Sequence, residues 1–213
     1  MGAGGNARGE PEYLAPYREA VERFGPGFEA TLWASREYQV TRFRVIAEMV
    51  DLGGRSVVDA GSGRGDLACF LAEREVPFRS YLGVEGLPQL LAAGTDHLPA
   101  RAELRSYDFV REAERLGETE PDVIVFSGSL NTLEQRAAER VLGTAWTGAR
   151  VALVFNFLSD RCEPSLRRQP TAPARRFDTA RLVEWAFRRT ARVAVRTDYF
   201  QGGHDCTIAL WKS

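Results

Sequence analysis

Two hydrophobic rhythms alternate along most of this chain. Short runs that are apolar at every or every second position, Ser56–Ala60, Ser80–Glu85, 104–109, Val123–Phe126 and 151–155, read as strands. Between them, apolar residues recur at helical spacing over Asp66–Glu73, 88–93 and 134–146, and again from a cap at Asp178 or Thr179 through Leu182, Trp185 and Ala186. Alternation of this kind implies parallel strands joined by crossover helices. Val123–Phe126 and 151–155 carry no polar residue, which predicts strands in the middle of the sheet, covered on both faces.

The two ends of the chain behave differently. Residues 191–200 and 207–211 read as a closing β-hairpin through Gln201-Gly202-Gly203-His204-Asp205. Upstream, Val40, Phe43, Ile46, Ala47 and Val50 mark a helix, and Gly25-Pro26-Gly27 separates it from an earlier one. The division expected is a flexible start over 1–10, a helical cap over 11–52 and a ligand-binding α/β domain over 53–213.

Ligands on open parallel sheets bind beyond the carboxyl ends of the strands, so the residues following each strand are the candidates. The first strand ends at Asp59 and enters Gly61-Ser62-Gly63-Arg64-Gly65-Asp66, and the second ends at Glu85-Gly86. Three alternating glycines before a helix put backbone N–H groups and a helix N-terminus side by side and let a ligand approach the main chain closely. A dinucleotide turn would carry Gly or Ala where Asp66 stands, which argues against NAD. The strand context and the interval of about 20 residues from turn to second acid set the pattern apart from a plain glycine-rich turn.

Asp59, the glycine turn and Glu85 together resemble the class I S-adenosylmethionine-dependent methyltransferases. The resemblance runs from about Arg42 to the C-terminus. It implies a doubly wound, seven-stranded, mostly parallel α/β sheet with an antiparallel last strand, a Rossmann-like fold under a helical N-terminal cap. It also implies S-adenosylmethionine as cofactor, with Glu85 and Gly86 at the ribose, Asp59, Gly61, Ser62, Gly63 and Gly65 under the methionine half, and Asp108 and Phe109 at the adenine. Ser127 and Gly128 would stand near the transferred methyl group, and Arg42, one turn from Gln39, could meet the cofactor carboxylate.

Catalytic groups are less marked. Ser127, Ser129 and Asn131 can orient an acceptor by hydrogen bonds, but none is a good base near neutral pH. The loop 127–131 has neither the proline-rich motif of amino-methylating nucleic-acid enzymes nor the acid and amide ligands of the metal-dependent catechol type, so no metal is expected. Asn156 and Asp160 follow the fifth strand, and the last hairpin brings Tyr199, His204 and Asp205 toward the same edge, with His204 the candidate base. His97, the other histidine, reads as structural. Aromatic residues Tyr13, Tyr17, Trp33, Tyr38 and Phe43 could cover a flat acceptor or simply pack the cap.

Composition narrows the partners. With 28 basic against 29 acidic side chains in 213 residues, no net charge draws the protein to nucleic acid or to an anionic membrane. The three cysteines are far apart, without the paired spacing of a metal site, and fit a reducing cytoplasm. No run approaches the roughly 20 apolar residues of a membrane span. A basic stretch from Arg167 to Arg176, broken by Pro170 and Pro173, reads as a solvated loop or a docking surface. The reading is a cytoplasmic methyltransferase, monomer or homodimer, acting on O or N of a small molecule. A methyltransferase of RNA or protein, and a non-catalytic protein that holds the cofactor or its demethylated product, remain alternatives.

Overall fold

A computed structural model describes residues 11–213, and the start over 1–10 lies outside them. Five parallel strands run through the sheet: β1 (Ser56–Ala60), β2 (Ser80–Glu85), β3 (Ala102–Ser106), β4 (Val123–Phe126) and β5 (Ala152–Ser159). A two-residue strand, β6 (Arg176–Phe177), pairs parallel with the end of β5. The hairpin strands β7 (Val193–Arg196) and β8 (Asp205–Trp211) complete the order β3-β2-β1-β4-β5-β8-β7, with β8 antiparallel to both neighbours. The seven expected strands are therefore present, and β6 is an eighth.

Helices cover both faces. They are α1 (Ala15–Phe24), α2 (Arg36–Met49), α3 (Asp66–Glu73), α4 (Pro88–Thr95), α5 (Gln135–Gly148), α6 (Pro164–Arg167) and α7 (Thr179–Phe187). Ser35 opens α2 by accepting from Tyr38 N–H (3.2 Å), and Asp178 opens α7 by accepting from Arg181 N–H (3.0 Å), each satisfying one orphan donor of a helix N-terminus.

The period-two alternation of β4 divides the core in two. Val123 and Val125 face one layer with Val57 and Val154, against Phe43 and Ile46 of α2 and Leu67 and Phe70 of α3. Ile124 and Phe126 face the other with Val58 and Phe155, against Leu142 and Ala145 of α5 and Leu182 of α7. Each large side chain so buried contributes about 1.5–3 kcal/mol of transfer free energy. The packing also divides the expected cap: α2 belongs to the sheet's own helical layer, with its first turns reaching the cavity, and the segment before it lies over the strand ends.

Three boundaries differ from the sequence reading. β3 stops at Ser106, which leaves Tyr107, Asp108 and Phe109 in a loop at the carboxyl edge. β5 continues four residues past Phe155, because seven successive pairings with β8, Ala152↔Trp211 to Leu158↔Asp205, carry the ladder onward. Asn156, expected in a loop, is consequently a fully buried strand residue. β7 is shorter than the expected 191–200, since the chain turns at 197–203 through Gly202 and Gly203, both at positive φ.

Candidate active site

Beyond the carboxyl ends of β1, β2, β4 and β5 lies a cavity of about 360 Å³, within the range of small-ligand sites. Asp59, Gly61, Ser62, Gly63, Glu85 and Phe109 line one half of it. Ser127, Gly128, Ser129, Asn131, Leu158 and His204 line the other, and Arg42 and Trp33 also reach it. Gly65, Gly86, Asp108, Asp160, Tyr199 and Asp205 do not.

The glycine turn is closed on itself and on β2. Gly61 and Ser62 N–H donate to the Val84 carbonyl (2.8 and 2.9 Å), Gly63 N–H to Glu85 Oε2 (3.0 Å) and Gly65 N–H to the Ser62 carbonyl (2.9 Å). The expected free N–H groups are thus engaged within the protein, and the turn offers bare backbone in their place. At Gly63, with φ +56°, an added Cβ would meet only Thr31 Cγ2, at 3.6 Å, so a ligand can lie against this main chain.

Glu85 is held at both oxygens, Oε2 by Gly63 N–H and Oε1 by Leu87 N–H (2.9 Å). Burial pushes its pKa up, and the bonds from Leu87, Gly63 and Gly86 oppose that rise. A carboxylate offers about four lone-pair sites, so after these three bonds Glu85 keeps one for a ligand in the cavity. Asp59 is 2% exposed, accepts from the Tyr81 hydroxyl at Oδ2, and has no partner at Oδ1. Burial raises its pKa to about 7 against the Tyr81 hydroxyl, with Glu85 and Asp66 adding to the rise.

The loop after β3 is occupied differently from expectation. Asp108 Oδ2 accepts from the Tyr13 hydroxyl (2.6 Å) and Oδ1 from Val110 N–H (3.0 Å), so Asp108 anchors the N-terminal segment. Phe109, set edge-on to Phe126 (5.7 Å), presents its ring to the cavity.

After β4, the polar side chains brace neighbouring strands. Ser129 Oγ donates to the Ala60 carbonyl (2.5 Å), Asn131 Oδ1 accepts from Leu158 N–H (3.2 Å), and buried Asn156 Oδ1 accepts from Gly128 N–H (2.8 Å). A Cβ on Gly128 would fall 2.5 Å from the Trp33 ring, so glycine is what lets Trp33 lie over this loop.

The expected base and its neighbour are engaged as well. Arg176 Nη2 contacts His204 Nδ1 (3.2 Å). Because guanidinium only donates, Nδ1 must accept, which places the proton of the neutral ring on Nε2 and leaves no free lone pair for base catalysis. Burial lowers the His204 pKa, favouring that neutral ring. Tyr199 lies outside the cavity with its hydroxyl 2.7 Å from Thr207 Oγ1, and burial raises its pKa. Arg42, expected at a cofactor carboxylate, instead forms a two-point pair with Asp205 through Nε and through Nη2 (2.7 Å), flanked by the rings of Trp33 (4.7 Å) and Phe200 (5.1 Å).

The sequence reading missed one wall altogether. Residues 170–174 line the cavity, tied down by Arg175 N–H to the Asn131 carbonyl (2.7 Å) and by the Arg175–Glu134 ion pair (2.6 Å). The available signal was an uncharged Pro-Thr-Ala-Pro-Ala segment embedded in a run of arginines.

No protein-family model matches the chain, and no curated protein does. Solved structures match across nearly its whole length. A SAM-dependent methyltransferase from Archaeoglobus fulgidus has a TM-score of 0.68 at 14% identity, with 92% of this chain and 99% of that one covered. Magnesium protoporphyrin IX methyltransferase from Synechocystis PCC 6803, solved with bound SAH, has a TM-score of 0.67 at 13% identity, with 95% and 100% covered. A small RNA methyltransferase has a TM-score of 0.64 at 15% identity over 80% of this chain and 24% of its own.

The chain has the class I methyltransferase fold.

Within that fold, this chain has an open glycine turn between an acid with an unpartnered oxygen and an acid with a spare lone pair. No helix among the described residues is long and apolar enough to cross a membrane.

Proposed function

We propose that the chain is an S-adenosylmethionine-dependent methyltransferase with a small-molecule acceptor. The observation that carries this reading is Asp59: a buried acid that lines the cavity and has no partner for one oxygen. A buried acceptor without a partner costs about 1–3 kcal/mol, and a cationic ligand group relieves that cost. The ammonium of the cofactor's methionine half is such a group. Glu85 fits a ribose hydroxyl through its remaining lone pair, and Phe109 offers a ring to the base.

When bound, the cofactor supplies an activated methyl group on a positively charged sulfur. The protein's work is then alignment and exclusion of water. Trp33 and residues 170–174 cover the half of the cavity at β4 and β5, where the acceptor would lie. The Arg42–Asp205 pair fixes that half by joining α2 to the last strand.

The test combines calorimetry with S-adenosylhomocysteine and transfer of labelled methyl from S-adenosylmethionine into a cell metabolite extract. Saturable binding and label in a low-mass product are expected. Label found only in RNA or protein would overturn the small-molecule part, and binding without transfer would indicate a protein that only holds the cofactor.

A further inference from the structure

The acceptor half of the cavity is poor in charge. Its walls include Trp33, Tyr38, Leu158, Pro170 and Pro173. Arg42, the single lysine or arginine among the lining residues, is already neutralised by Asp205. Arg176 follows the 170–174 wall without lining the cavity, and directs Nη1 and Nη2 to the carbonyls of Ser159, His204 and Leu166 and to His204 Nδ1. A carboxylate or phosphate on the acceptor would therefore enter an apolar space without a free cation among the lining residues to meet it.

Among the described residues, the same half offers no imidazole or carboxylate free to act as a base. The lone pair of His204 faces Arg176, and the Tyr13 hydroxyl donates to Asp108. Asp59 and Glu85 belong to the half at β1 and β2. An acceptor bound here has to be nucleophilic as it arrives. A hydroxyl needs its proton removed during attack and a phenolate needs a cation beside it, whereas a neutral nitrogen needs neither.

We propose, on the footing of the methyltransferase reading, that the acceptor is an uncharged, flat aromatic molecule methylated on a nitrogen that carries a free lone pair, an aryl amine or a nitrogen heterocycle. The nitrogen lone pair forms the new bond to the methyl carbon as the carbon–sulfur bond breaks, and that bonding pair stays on sulfur. Positive charge moves from sulfur to nitrogen. An amine then loses one proton to water, while a ring nitrogen keeps its charge. Trp33 and Tyr38 give this half aromatic surface of the kind that stabilises such a cation.

The experiment uses four probes of one ring size: naphthylamine, isoquinoline, naphthol and naphthoate. Each is titrated by calorimetry into the protein preloaded with S-adenosylhomocysteine, and turnover is followed with labelled S-adenosylmethionine. The nitrogen probes are expected to bind at least tenfold tighter than naphthoate and to be methylated, with a pH–rate profile that follows the pKa of the probe. Naphthoate binding as tightly as the nitrogen probes, naphthol as the best acceptor, or no binding of either nitrogen probe to the preloaded protein would overturn the proposal. Failure of the preloading itself would overturn the methyltransferase reading on which it rests.

Discussion

Arg42 of α2 and Asp205 of β8 meet as a buried two-point ion pair across 163 positions of sequence, with side chains 5% and 0% exposed. The pair fixes the helix that follows the Trp33 segment to the strand that follows the turn at 201–203, so it braces one side of the cavity. Leaving one of two such charges without its partner costs about 3–5 kcal/mol. Asp205→Ala should therefore lower unfolding free energy by that amount in urea titrations. Replacing both residues by leucine should cost clearly less than the two single changes summed.

Asp59 makes binding depend on pH. Its pKa in the free protein, raised to about 7 by burial, lies above the value of an unfolded aspartate, so its contribution to stability is present in acid and lost as pH rises through 7. A bound ammonium lowers that pKa and expels the proton. Affinity for S-adenosylhomocysteine should then rise between pH 5.5 and 7.5, by at most about tenfold per pH unit. Binding heats should vary with the ionisation enthalpy of the buffer, and Asp59→Asn should abolish both effects.

Gly63→Val should remove cofactor binding and leave the chain folded. The open space over Gly63 is ligand space in this account, and a branched side chain at φ +56° adds about 1–2 kcal/mol of backbone strain. Circular dichroism together with calorimetry checks it: retained helix signal with lost binding is expected, and retained binding would place the ligand elsewhere.

The sheet was legible in the sequence because its central strands are apolar at every position, a signal that survives any tertiary context. Val123–Phe126 shows this directly, with all four residues fully buried. Asp59, the glycine turn and Glu85 were legible as a cluster because they lie on one β1–turn–α3–β2 unit, whose parallel strands end side by side. Partnership at long range was not. Arg42 and Asp205, Tyr13 and Asp108, and His204 and Arg176 are separated by 163, 95 and 28 positions, and each choice of partner depends on how distant elements pack. The roles expected of Arg42, Asp108 and His204 presumed unengaged side chains, which a linear reading cannot test.

The most direct test of the account is a calorimetric titration of S-adenosylhomocysteine into the wild-type protein and into Glu85→Ala. The account predicts saturable one-to-one binding for wild type, weakened in the variant by about 1.5–3 kcal/mol, or roughly ten- to a hundredfold. No binding to wild type, or an unchanged affinity in Glu85→Ala, would contradict it.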